Sequence, residues 1–154
     1  GKYFAGKSSD YSEAADTWAG LFNPQRSSVL LFVNVFTVTN PLHSPISIQV
    51  WLNARISGLF RQSELVSPTN TALCPLPRPK VRLLYAEDAE CGPDSGSLIF
   101  GRRCPPDATT VSEEGGKFII PPGGNFLINA FRLRANDEIS GQIAFGWWEK
   151  PCTP

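Results

Sequence analysis

Hydrophobic and polar positions alternate along much of the chain with a period of two, the signature of strands with one covered face. Val29–Asn40 reads VLLFVNVFTVTN, a near-continuous run of branched and aromatic residues that predicts a strand covered on both faces and ended by Asn40-Pro41. In ISIQVWLN, residues Ile46, Ile48, Val50 and Leu52 share one face while Ser47, Gln49, Trp51 and Asn53 share the other, which predicts a half-buried strand. Residues 125–133 and 139–148 are two further strands. In the second of these Ile139, Gly141, Ile143, Phe145 and Trp147 form the core face, so Trp148 must point the other way.

Between these anchors the signals shorten. Thr71–Leu76 and Val81–Tyr85 are strand candidates around Pro75, Pro77 and Pro79, whose missing donors suit edges and connections. Residues 87–97 form a polar loop, and Leu98–Phe100, Thr109–Val111 and Lys117–Ile120 are short apolar pieces before the turn Pro121-Pro122-Gly123-Gly124. Short strands spaced by Gly/Pro turns predict an all-β, antiparallel β-sandwich of jelly-roll type occupying residues 29–150. Residues 1–28 break the pattern. They set aromatic islands (Tyr3, Phe4, Tyr11, Trp18, Leu21, Phe22) among small polar residues, which predicts an extended N-terminal arm in need of a surface, its own domain or another, with a short helical turn at Ser12–Trp18. Residues 151–154 form a tail.

The 154-residue length suits one domain, and 13 glycines with 14 prolines favour turns over long helices. Acidic and basic residues number 14 each, which removes any global electrostatic reason to expect nucleic acid, and no apolar run is long enough for a membrane span. The lack of methionine, even at position 1, points to a trimmed or processed chain. Cys74, Cys91, Cys104 and Cys152 allow a pair of disulfides. Cys91 and Cys104, flanking a Gly/Pro-rich loop, are the first pair to join, and Cys152 could reach Cys74 or a neighbouring molecule. Such bonds imply an oxidising exterior.

The chemistry-bearing residues do not converge in sequence. His43, the one histidine, lies in a Pro-Leu-His-Ser-Pro loop, so a Ser/His site has little behind it. Glu87, Asp88 and Glu90, and Glu113-Glu114, read as solvated charges rather than a catalytic pair, and the Asp94 loop lacks a calcium-binding spacing. With one histidine and no CxxC there is no zinc motif, and Gly115-Gly116 and Gly123-Gly124 match no nucleotide loop. No catalytic residue, metal or cofactor is expected. The aromatic resource is different: Trp51 and Trp148, facing away from the core, can stack on sugar rings or fill a neighbour's pocket.

The strings GKYFAG, WAGLFNP, LLFVNVFTVTN, VWLN, SPTNTALCPLPRPKV, VSEEGGKFIIPPGG and AFGWWE together resemble a family of small uncharacterised proteins of spore-forming Bacillota, over most of the chain. The resemblance implies no activity. In architecture alone the chain is similar to endospore-appendage subunits, jelly-roll proteins with N-terminal arms and cysteines that staple neighbours. The expectation is therefore a non-enzymatic structural subunit, extracellular or on a spore surface, that polymerises with itself into a fibre or layer through its N-terminal arm and sheet edges. Its assembly interface would use Tyr3, Phe4, Tyr11, Trp18, Leu21, Phe22, Trp51 and Trp148. The alternative is a carbohydrate-binding sandwich that takes a surface polysaccharide on its exposed tryptophans.

Overall fold

The apolar run at Val29–Asn40 forms the strand on which one sheet is built. A computed structural model describes residues 1–89 and 92–153. In chain order the strands are β1 (Lys2–Lys7), β2 (Tyr11–Ala14), β3 (Asp16–Phe22), β4 (Val29–Asn40), β5 (Ile46–Arg55), β6 (Arg61–Gln62), β7 (Val66–Pro68), β8 (Arg82–Ala86), β9 (Ser95–Cys104), β10 (Ala108–Ile120), β11 (Asn125–Arg132) and β12 (Ile139–Pro151). They form two antiparallel sheets, β10-β4-β12-β1-β7 with β2 beside β12, and β6-β8-β3-β11-β5-β9.

Eight of these strands make a nested set of pairs: β1 with β12, β3 with β11, β4 with β10, and β5 with β9. A ribbon folded back at its middle and wound so that alternate pairs fall in opposite sheets is a jelly roll, which bears out the β-sandwich expectation. Of the four remaining strands, β2 pairs with β12, and β6 to β8 come from the stretch between β5 and β9 and widen both sheets.

Residues 1–28 are not an arm. β1 and β3 are the first two strands of the roll, each bonded on both sides, β1 between β12 and β7 and β3 between β11 and β8. No helical turn forms at Ser12–Trp18, which is strand on either side of a bend at Ala15, with Glu13 of β2 at a positive φ of 54°. Thr71–Leu76 is turn and coil instead of a strand, consistent with its prolines.

The core lies between the sheets. Phe126 of β11 meets Phe118, Phe36 and Phe145 at ring-centre separations of 5.5, 6.0 and 6.5 Å, and Phe4 stacks on Trp147 at 5.9 Å. β4 departs from the expectation of two covered faces. Leu31, Val33, Phe36 and Val38 are buried while Phe32, Asn34, Thr37 and Thr39 look outward and are half-buried. The inward face changes parity at Asn34, where the β4–β12 register slips by one residue between Gly146 and Trp147, a bulge.

The insertion after β5 is tied down by an acid. Glu149, which alternation turns inward beside Trp147, is buried, and its carboxylate accepts the backbone N–H of Lys80 and Val81 and the indole N–H of Trp147 at 2.9–3.2 Å. Three donors offset the cost of removing a carboxylate from water.

Candidate functional site

Both outward faces of the sandwich carry aromatic side chains, and the chain treats them differently. On the second sheet Trp18 (β3) and Leu127 (β11) are buried under loops. Ile56 and Ala89 pack onto this cluster, and Phe60 sits 6.2 Å from the Trp18 ring, with Phe22 on another side at 6.0 Å. Trp51 is half-buried here, donating from Nε1 to Gln49 Oε1 at 3.2 Å. The lid itself is apolar outward: Leu59 is 96% exposed, and Leu98, opposite Trp51 on β9, is also exposed.

On the first sheet no loop among the described residues is folded over the outward row. Ile119, Phe32, Trp148 and Tyr3 stand directly opposite one another across β10, β4, β12 and β1. Cross-strand neighbours share a face, so the four form one apolar band. Trp148 is 40% exposed, against full burial of Trp147 next to it. Tyr3 packs edge-on to Trp148 at 4.9 Å and takes a hydrogen bond from Asn34 Nδ2 at 3.0 Å on its hydroxyl. To reach Asn34 the phenol lies across Gly146, where a Cβ would collide with the Tyr3 Oη. Lys150 extends its ammonium over the Phe32 ring at 4.7 Å, a cation–π contact.

Trp148 thus forms a ridge between two hollows. One, of about 370 Å³, has Phe32, Asn34 and Lys150 on its floor and the Gly115-Gly116 bulge of β10 as its far wall. The other, of about 160 Å³, lies between Tyr3 and the loop residues Asn70, Leu73 and Pro77. The bulge takes positive φ values of 60° and 77°, which glycine adopts without strain. It is stapled by Glu114, which accepts from Ser112 Oγ and pairs with Lys117 Nζ at 3.0 Å. Glu114 is buried, so the expectation of a solvated charge holds for Glu113 but is corrected for Glu114. A bulge with a charged staple also breaks the free edge of β10, a device that blunts strand addition.

The eight expected interface residues do not form one surface. Phe4, Tyr11 and Leu21 are buried between the sheets. Trp18 lies under the lid, Phe22 and Trp51 flank it, and only Tyr3 and Trp148 share the open row. Burial pushes the Tyr11 phenol pKa well above its usual range, with the Cys104 thiol adding to the shift. Asp16 is raised by burial first, with Arg132 opposing the shift and Asp88 adding a smaller rise.

Cys104 is a buried free thiol that donates toward Val38 O, so the preferred bond to Cys91 is corrected for Cys104; Cys91 lies outside the described residues. Cys74 and Cys152 are free and exposed. His43 and Ser44 line a cleft at one end of the sandwich. Among the described residues no group of His, Cys, Asp and Glu is arranged to hold a metal ion.

A family model matches residues 1–153. The chain belongs to DUF6143, a family of unknown function. No curated protein and no solved structure matches it.

Sequence reasoning found Trp148 through alternation and missed its row, because register between distant strands is invisible in one sequence. Glu149 did leave a signal. It follows Trp147 at the spacing of the core face, where an acid requires donors.

Proposed function

We propose that the protein is a non-enzymatic structural subunit that associates with copies of itself into a fibre or layer outside the cell or on a spore surface, using no cofactor. One observation carries this reading: apolar side chains are exposed on both outward faces, Trp148, Ile119 and Val111 on the first sheet and Leu59, Phe60 and Leu98 on the second. Patches of that kind mark interaction surfaces. Docking the first-sheet row of one copy on the lid of the next joins unlike surfaces, and a head-to-tail contact of unlike surfaces propagates into an open array. Face docking replaces the arm as the mechanism, since residues 2–22 are committed to the chain's own sheets. Exposed Cys74 and Cys152 are thiols through which copies could be cross-linked in an oxidising exterior.

Sedimentation velocity and negative-stain electron microscopy test this, on the wild type with and without reductant and on Trp148→Ser and Leu59→Ser. Polymers that shorten or vanish in both variants are expected. A wild type that stays monomeric at high concentration in oxidising buffer overturns the reading.

A second reading is favoured by the row itself. Phe32 and Trp148 with the donors of Asn34 and Lys150 around a hollow of about 370 Å³ are the elements with which proteins bind sugars, an aromatic surface and polar groups at its rim. A carbohydrate-binding module predicts a stable monomer whose tryptophan fluorescence changes with a soluble polysaccharide, and loses that response in Trp148→Ala. A glycan screen without a hit dismisses it.

A further inference from the structure

At one end of the sandwich the surface chemistry changes from aromatic to cationic. The β4–β5 loop brings His43 and Ser44, the end of β9 brings Arg103, and the β11–β12 loop brings Arg134 and Asp137 to a cleft of about 480 Å³. These residues are separated by as many as 94 positions in sequence, His43 to Asp137, and meet because the jelly roll gathers its loops at its ends.

The walls are fixed by bonds that do not involve the cleft's charged groups. Asn40, fully buried, donates from Nδ2 to Ser44 O at 2.8 Å and Pro105 O at 3.1 Å and accepts the Leu42 N–H at 3.2 Å. The Asp107 N–H reaches Leu42 O at 2.9 Å, joining the loop before β5 to the turn after β9. On the other wall the Asp137 N–H closes a turn on Arg134 O at 3.1 Å, and Arg132 donates to Asp137 O at 3.4 Å. A cleft held in this way spends little free energy on ordering when a ligand arrives.

Among the described residues neither Arg103 nor Arg134 is in an ion pair. Two guanidiniums against the single carboxylate of Asp137 leave one unit of positive charge facing the cleft. Arg103 also borders a second groove of about 340 Å³ with Ser47 and Arg102, so the cationic lining continues past the cleft.

We propose that this end of the protein binds a phosphodiester joining polyol or sugar units. A phosphodiester carries one negative charge, which matches the surplus, and its two free oxygens suit the planar forks of arginine. A monoester's second charge would face Asp137 without a partner. Asp137 and Ser44 are placed to accept from and donate to the hydroxyls on either side of such a phosphate. The neighbouring groove offers room and charge for a second repeat of a polymer. This site is separate from the aromatic face and from assembly through it.

Isothermal titration with sn-glycero-3-phosphoglycerol tests the proposal on the wild type, Arg103→Gln, Arg134→Gln and Trp148→Ala, with phosphatidylglycerol vesicles and inorganic phosphate as separate arms. Both arginines are exposed, so the variants keep the fold. Saturable binding of the soluble ester is expected, weakened about tenfold by either arginine change and unaffected at Trp148. Binding of vesicles with the same arginine dependence assigns the phosphodiester to a lipid headgroup. Binding of the soluble ester alone assigns it to a soluble or wall-bound polymer. Absence of binding, equal affinity for inorganic phosphate, or affinity unchanged in both arginine variants overturns the proposal.

Discussion

The two outward faces of the sandwich hold the same kind of residue and differ in what the chain does with it. On the second sheet Trp18 and Leu127 are sealed by the segments around Phe60 and Ala89, and only the outside of that seal is apolar. On the first sheet the row from Ile119 to Tyr3 has no such cover among the described residues, although two of its members have defined partners, Tyr3 in Asn34 and Gly146 and Phe32 in Lys150. Sealing is therefore within the reach of this chain, and the bare first face is the observation on which the proposed self-association rests.

Substitutions can break that contrast, and the largest effect belongs to the sealed side. Trp18→Ala removes a fully buried indole and the floor on which Phe60 rests, and should cost about 3–5 kcal/mol in chemical denaturation. Glu149→Gln replaces an acceptor of three N–H groups with a side chain that also donates. A loss of about 2–3 kcal/mol is expected, with faster hydrogen exchange at Lys80 and Val81. Gly146→Ala drives Tyr3 off its seat and should cost about 1–3 kcal/mol, with a changed Trp148 emission as the specific readout. Trp148→Ala should cost only about 1 kcal/mol, the scale of its contact with Tyr3, while removing assembly or glycan binding. An open-face tryptophan as costly to truncate as Trp18 would end the comparison.

The smallest effect is electrostatic. Asp16 has a raised pKa, so the folded state holds its proton more tightly than the unfolded state, and stability falls as pH rises through the carboxylate range. Asp16→Asn should therefore be neutral to slightly stabilising at pH 7, within about 0.5 kcal/mol because solvent screens the site, with no gain once the wild-type carboxyl is protonated. Urea titrations at neutral and acid pH check the sign.

The jelly roll was readable where one face of a strand is covered and the other is wet. β5 and β12 announce themselves by alternation and β4 by a near-continuous apolar run, and the assignment of Trp147 inward and Trp148 outward follows from the alternation in β12. β1 to β3 were not readable, because Gly6, Ser8, Ser9 and Gly20 interrupt the apolar pattern and the strands owe their place to pairing with β11 and β12 more than a hundred residues away. β9 and β10 are longer than their apolar pieces suggest, since edge strands with exposed charged and glycine residues carry little pattern. The same limit hid both sites. Trp148 was legible, while Phe32 beside it and the meeting of Arg103 with Arg134 depend on register and loop placement.

The nested pairing also gives one strand a central place. β12, last of the strands in the chain, does not sit at an edge but between β4 and β1, in the middle of the first sheet. Until it arrives, β4 and β1 face an empty lane and Phe4 has no Trp147 to lie on. The β1–β12 pairing joins residues more than 130 positions apart, and contacts of such sequence separation are the slow ones to form. The bare aromatic row does not exist before that pairing, because Trp148 is its keystone. A chain that has not finished folding cannot yet present the surface through which it would join another.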